Sequence, residues 1–226
     1  MKRSEINSAI RWAKNLLREN NIRLPEYAYW DLAEWKKNAS ALDTIRRVML
    51  GWDISDFGSG EYDVTGAVLY TVRNGDMNDA SVGVPYCEKY ILMKEGQHLP
   101  KHYHVFKTED IINRAGGVLA VYLWNTDENG KQLETDVTVP MDGILRTFKA
   151  GEEILVYPGN SISLQPHMAH VFGPKVGEGD LICGEVSKVN DDNTDNYFLD
   201  PTSRFADIDE DEAPLHPLCN EYDRYL

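Results

Sequence analysis

The 226-residue sequence predicts a mainly all-β protein, a sandwich or barrel with an N-terminal helical extension. Helical spacing of apolar residues is confined to the segment before residue 51. From about residue 58 the texture changes to short β-branched or aromatic runs punctuated by Gly, Pro and Asn. These runs do not alternate with helical patterns, which argues against βαβ units and a parallel sheet.

The elements follow in order. SEINSAIRWAKNLLREN, residues 4–20, places Ile6, Ile10, Ala13, Leu16 and Leu17 on one helical face, with Ser4 as a cap and the following NN pair as a stop. A second helix is predicted over LDTIRRVML, residues 42–50, after an aromatic segment from Tyr27 to Trp35. Together they suggest a helical layer over a sheet. Strands are expected in AVLYTVRNGD, YCEKYILMKEGQ, GGVLAVYLWNTDENG, DVTVPMDG, EEILVYPGNSISLQP and DLICGEVSKV, with hairpin turns at NG 74–75, ENG 128–130 and PGN 158–160. The tail beyond Val189 is acidic and loop-like, and its DIDEDE run at 207–212 reads as a solvated surface segment. The simplest partition is a single domain over 1–226: a helical layer at 1–57, a β-barrel core at 58–189 and an acidic extension at 190–226.

Charge narrows the function. With 23 Lys and Arg against 37 Asp and Glu, the formal net charge of −14 opposes binding to nucleic acid or to an anionic bilayer. Three widely spaced cysteines suggest neither a disulfide framework nor a CxxC metal site. The MKRSEINSAI start lacks a signal-peptide core, and no run approaches the ~18 apolar residues of a membrane span, so a soluble cytoplasmic protein is expected.

Four of the six histidines fall in two short segments of the β region. In KHYHVFKTED, His102 and His104 are one residue apart, which on a strand puts both imidazoles on one face. Glu109 follows at an odd interval, so the chain must bend or bulge near residues 106–108 for its carboxylate to join them. A later strand, PHMAHVF, offers His167 or His170 as the fourth donor. Three imidazoles and one carboxylate suit Mn, Fe, Co, Ni or Zn, and leave a Lewis-acidic ion with open positions.

The same residues carry a family resemblance. Gly96, His102, Tyr103, His104, Glu109 and Gly116 resemble the first cupin motif, and Gly151 to Phe172 resembles the second. The family's His-x-Phe ending matches His170-Val171-Phe172, which makes His170 the ligand and His167 a substrate contact. The implied fold is a cupin-type double-stranded β-helix, or jelly-roll. The chain is further similar to the D-lyxose ketol-isomerases from its RWA segment, through HYHVFKTED and GEVSKVNDDNTDN, to the RF-x-x-I-x-E-D-E tail.

That resemblance implies aldose-ketose isomerisation of D-lyxose, and of D-mannose, with Mn as the first-choice metal and Zn, Co or Fe as alternatives. The partner is then a small sugar, and a homodimer is expected. Lys107 is the first candidate for proton transfer, with Glu185 and Asp200 as carboxylate partners, although the family carries a glutamate near Asp200. Arg204 either binds a sugar hydroxyl or pairs with the acidic tail, and Phe172 is a candidate aromatic wall. Competing readings are a phosphosugar isomerase using Lys94, Lys101, Lys107 and Arg114, a metal-dependent oxygenase, and a sugar-binding protein without turnover.

Overall fold

The computed structural model describes residues 1–192 and 194–226. The chain opens with α1 (Arg3–Glu19), then α2 (Leu32–Asn38) and α3 (Asp43–Arg47). Among the described residues thirteen strands follow: β1 (Gly51–Ser55), β2 (Ala67–Asp76), β3 (Asp79–Met93), β4 (His102–Tyr103), β5 (Glu109–Gly116), β6 (Leu119–Asn125), β7 (Val137–Met141), β8 (Ile144–Phe148), β9 (Ile154–Val156), β10 (Ser161–Leu164), β11 (Met168–Pro174), β12 (Leu181–Lys188) and β13 (Tyr197–Phe198). A last turn of helix, α4 (Tyr222–Tyr225), lies in the tail.

Two antiparallel sheets form. The larger runs β1-β2-β3-β12-β5-β10-β7-β8 and the smaller β13-β4-β11-β6-β9. Their facing sides bury one core, including Leu69, Ile91, Met93, Ile111, Val121, Leu123, Ile162 and Phe172. This is the cupin-type jelly-roll.

The β1-β2-β3-β12 part of the larger sheet is buried on its outer face as well. Ile6, Ala9, Ile10, Ala13 and Leu17 of α1 pack on Trp52, Ile54, Val68, Tyr70, Leu92 and Ile182. Each large apolar side chain so buried contributes about 1.5–3 kcal/mol. Two-sided burial explains why β1 and the start of β2 read as continuous rather than alternating runs. The sheet begins at Gly51, inside the 1–57 span that sequence assigns to the helical layer.

Several local expectations need correction. The cap of α1 is Lys2, whose backbone N–H donates to Glu5 at 2.7 Å, and Ser4 lies inside the first turn. The NN stop holds, with Asn20 as C-cap and Asn21 at φ 59°. The helix read over 42–50 is shorter, Asp43–Arg47. NG at 74–75 is not a turn: β2 continues to Asp76, the register shifts around Gly75, and a Cβ on Gly75 would lie 2.1 Å from the Val84 carbonyl. PGN does turn the chain, but it joins β9 of the small sheet to β10 of the large one and makes no hairpin.

The acidic run is exposed but not free. Arg3, fully buried, donates to Glu210 at 2.8 Å and pairs closely with Glu221, while the Ser4 backbone N–H and hydroxyl donate to Asp211 at 2.9 and 2.7 Å. Carboxylates at the positive end of a helix dipole are favourable there. The tail therefore fastens the first turn of α1.

Candidate active site

The two histidine-bearing segments meet because β4 and β11 are hydrogen-bonded neighbours with His102 opposite His170. After β4 the chain leaves the sheet at residues 104–108 and re-enters the larger sheet at Glu109, which is the required bend. Glu109 thereby crosses the core from the opposite wall.

Four donor atoms converge. The donor nitrogens of His102, His104 and His170 all lie within 4.8 Å of one another. His170 Nε2 is 3.1 Å from His102 Nε2, and Glu109 Oε1 is 3.3 Å from His170 Nε2 and 3.4 Å from His104 Nε2. These are the donor-to-donor edges that bonds of about 2.1 Å generate around one ion. The other ring nitrogens are occupied: Nδ1 of His102, His104 and His170 donate to the carbonyls of Pro100, Asp195 and Met168. That arrangement leaves each Nε2 lone pair facing inward.

Two of the converging atoms, His104 Nε2 and Glu109 Oε1, are buried without any hydrogen-bond partner among the described residues. Native proteins rarely leave such atoms unmet, so the cluster fits a cation. Burial, reinforced by the neighbouring imidazoles, pushes His102 well below the ordinary histidine range. Burial likewise takes His170 down to about 4 against the pull of Glu109. Both rings are thus neutral near pH 7, the form that ligates.

Beside the cluster runs a buried row of alternating charges. Lys107 Nζ lies 2.8 Å from Glu109 Oε2 and 3.0 Å from Glu185 Oε1, and donates to Asn190 Oδ1 at 3.1 Å. Lys89, directly across the ladder from Glu185, is 3.5 Å from Asp192. Arg204 then bridges Asp192 at 3.1 Å and Asp53 at 2.7 Å. Burial alone would lower Lys107, but Glu109 and Glu185 raise it above the ordinary lysine range. Burial would raise Asp192, yet Arg204 and Lys89 hold it well below the carboxylate range.

Lys89, Lys107, Glu185, Asp192 and Arg204 of this row line a cavity of about 40 Å³ with Phe172 and Phe198, and Phe57 and Asn196 also border it. Phe172 stacks on His170 with ring centroids 6.1 Å apart, in keeping with an aromatic wall. Phe198 sits 5.7 Å from His102 and closes the site from the tail.

The predicted residues divide clearly. His102, His104, Glu109, His170, Lys107, Glu185, Arg204 and Phe172 come together. Asp200 does not: it is exposed, its carbonyl accepting from Thr202 Oγ1, because β13 directs the chain away from the cavity after Phe198. His167 is also displaced. At φ 61° it turns the chain into β11 and stacks on Tyr103, away from the cavity, while its backbone N–H donates to the His104 carbonyl. Of the cations named for a phosphosugar, Lys107 alone lines the cavity.

Sequence reasoning missed Lys89, Asp53, Asp192 and Asp195. Lys89 had a signal: in YCEKYILM it takes an inward position on the face that also carries Cys87, Ile91 and Met93. A lone lysine in an apolar alternation is a functional flag.

Comparison with known proteins follows the same line. A family model described as D-lyxose isomerase matches residues 1–222. D-lyxose/D-mannose isomerases of Escherichia coli O157:H7 and Serratia proteamaculans are each 39% identical over the full length of both chains. Among solved structures, the L-ribose isomerase of Acinetobacter sp. DL28 in complex with L-ribose superposes with a TM-score of 0.63 at 16% identity, covering 92% of this chain and 98% of that one. The Cellulomonas parahominis L-ribose isomerase gives 0.60 at 17%, with the same coverage.

Proposed function

Because the chain belongs to the D-lyxose isomerase family and is a sugar isomerase, we propose that it interconverts D-lyxose with D-xylulose and D-mannose with D-fructose, by metal-assisted proton transfer through an enediolate. The observation that carries this reading is the adjacency of the four-donor cluster to the Lys107–Glu185 pair. His102, His104, Glu109 and His170 would hold a divalent transition metal, Mn in first place, which supplies Lewis acidity toward the sugar's carbonyl and its neighbouring hydroxyl.

The remaining chemistry belongs to this chain's own residues. Glu185 is the acid-base residue: it takes the proton from C2 of the open-chain aldose and returns it to C1, while the hydroxyl hydrogen passes from O2 to O1. Lys107 is not the base that its sequence position suggests. Held protonated between Glu109 and Glu185, it has no lone pair to offer and instead donates to negative charge building on the sugar oxygens. Arg204 Nη1, buried and without an acceptor among the described residues, supplies a donor for a sugar hydroxyl. Phe57, Phe172 and Phe198 exclude water from the enediolate. The cavity of about 40 Å³ has room for water but is smaller than a pentose, so admission of substrate requires it to widen.

The test is incubation of the Mn-loaded chain with free pentoses and hexoses, with ketose read by chromatography. D-lyxose and D-mannose should be converted, chelator should abolish conversion and Mn should restore it. No ketose from any aldose, with metal content confirmed, ends the reading. A homodimer in the cytoplasm is proposed with it, the β7–β8 hairpin at the sheet edge, with exposed Ile144 and Leu145, providing apolar surface for a second copy.

A further inference from the structure

Between β4 and β5 the chain runs irregularly, and no strand partner among the described residues serves the backbone donors of residues 105–107. All three point at one side chain. The N–H groups of Val105 and Phe106 donate to Asp195 Oδ1 at 2.9 and 3.1 Å, and that of Lys107 donates to Asp195 Oδ2 at 2.9 Å. A carboxylate has enough lone pairs to take three donors from one concave stretch of backbone, whereas an amide presents one accepting oxygen. The main chain of the same residue acts in the other direction. The Asp195 carbonyl accepts the hydrogen bond from His104 Nδ1.

Asp195 is therefore fixed by its side chain to the residues that follow His104, and by its main chain it fixes His104 itself. It is 7% exposed and comes from the tail, far along the chain. The stretch so clamped presents His104 Nε2 to the donor cluster at one end and the Lys107 ammonium to Glu109 and Glu185 at the other. We infer that Asp195 is a positioning residue that sets the ring orientation of His104 and the reach of Lys107 together, so that the tail completes the metal centre as well as covering it. The inference rests on the reading of His104 as a ligand. The partner of a ligating imidazole's far nitrogen fixes which nitrogen keeps its lone pair and where that lone pair points.

The experiment uses the full chain, stripped of metal and titrated with Co(II), for the wild type, Asp195→Asn and Asp195→Ala. Affinity and the visible ligand-field absorption are read alongside thermal unfolding of the metal-free protein. Asp195→Asn is expected to melt within a few degrees of the wild type, to bind Co(II) roughly 10–100-fold more weakly and to show altered absorption bands. With Mn, its kcat should fall more than its KM rises. Folded variants that bind Co(II) with wild-type affinity and spectrum overturn the inference. Should both variants fail to fold, NMR of the wild type decides: an exchange-protected His104 Nδ1–H resonance is expected, and its absence overturns the clamp. Failure of the isomerase reading is separable, because a wild type that binds Co(II) yet forms no ketose still reports on Asp195 through affinity and spectrum.

Discussion

Glu185 shows how much one side chain depends on its neighbours. It sits at the centre of β12, 3.0 Å from Lys107 and 3.9 Å from Lys89, and accepts from Ser187 Oγ at 3.1 Å. Its substitution separates catalysis from architecture. Glu185→Gln keeps the shape and the acceptor oxygen but cannot carry a proton, so turnover of D-lyxose should drop by at least about 10²–10⁴-fold, the usual contribution of a general base, with metal content unchanged by elemental analysis. Retention of wild-type kcat would move the role elsewhere, Asp192 being the next carboxylate on the cavity wall. At this scale the sequence spoke through spacing. His102 and His104 were readable because a two-residue interval has one meaning on a strand, while Asp195 and Asp192 lay within an acidic tail whose composition implies only solvation. Nothing local marks which of several aspartates folds inward.

Among elements, the most informative joint is that of α1 with the tail. His216, 3% exposed, donates from Nδ1 to the Trp30 carbonyl and accepts from Lys14 of α1 on Nε2 at 2.6 Å. Burial, and then the Lys14 charge, push its imidazole down to about 4. The folded state thus holds this ring neutral while the unfolded chain protonates it near pH 6.5. The unfolded state binds the extra proton, so stability is full above about pH 6.5 and falls as pH drops toward about 4, where the loss levels off. Urea unfolding at pH 7.5 and 5.0 should show the wild type losing on the order of 1–2 kcal/mol from this site. His216→Gln, whatever its starting stability, should lose less between the two pH values, and an equal loss would refute the assignment. The strand runs were legible because short β-branched segments between turn signals have few alternatives. NG at 74–75 misled because Asn74 spends its side chain on the Val48 and Asn190 carbonyls, a tertiary demand that no dipeptide rule contains.

For the molecule as a whole, the asymmetry of its surfaces matters most. One face of the larger sheet lies under α1, whereas β8 at its far edge is exposed along almost its whole length, with Leu145 70% and Ile144 60% accessible. If this hairpin joins two copies, Leu145→Lys should shift sedimentation velocity profiles from dimer to monomer at micromolar concentration without changing the circular dichroism spectrum. An unaltered dimer would place the contact elsewhere. The jelly-roll itself was foreseeable from the two motif segments through their resemblance to the cupin motifs, while the strand pattern alone implied only a sandwich or barrel. The thickness of the tail contacts was not, because ion pairs such as Arg3–Glu221 link positions that only the finished fold brings together.

The tail's double engagement bears on the timing of biogenesis. Residues 195–205 cover the cavity and residues 209–221 grip the first helix, so every strand of both walls except β13 can leave the ribosome before the chamber is complete. A nascent polypeptide halted after β12 would leave its imidazoles uncovered, and the chamber would be complete only once translation had delivered the tail.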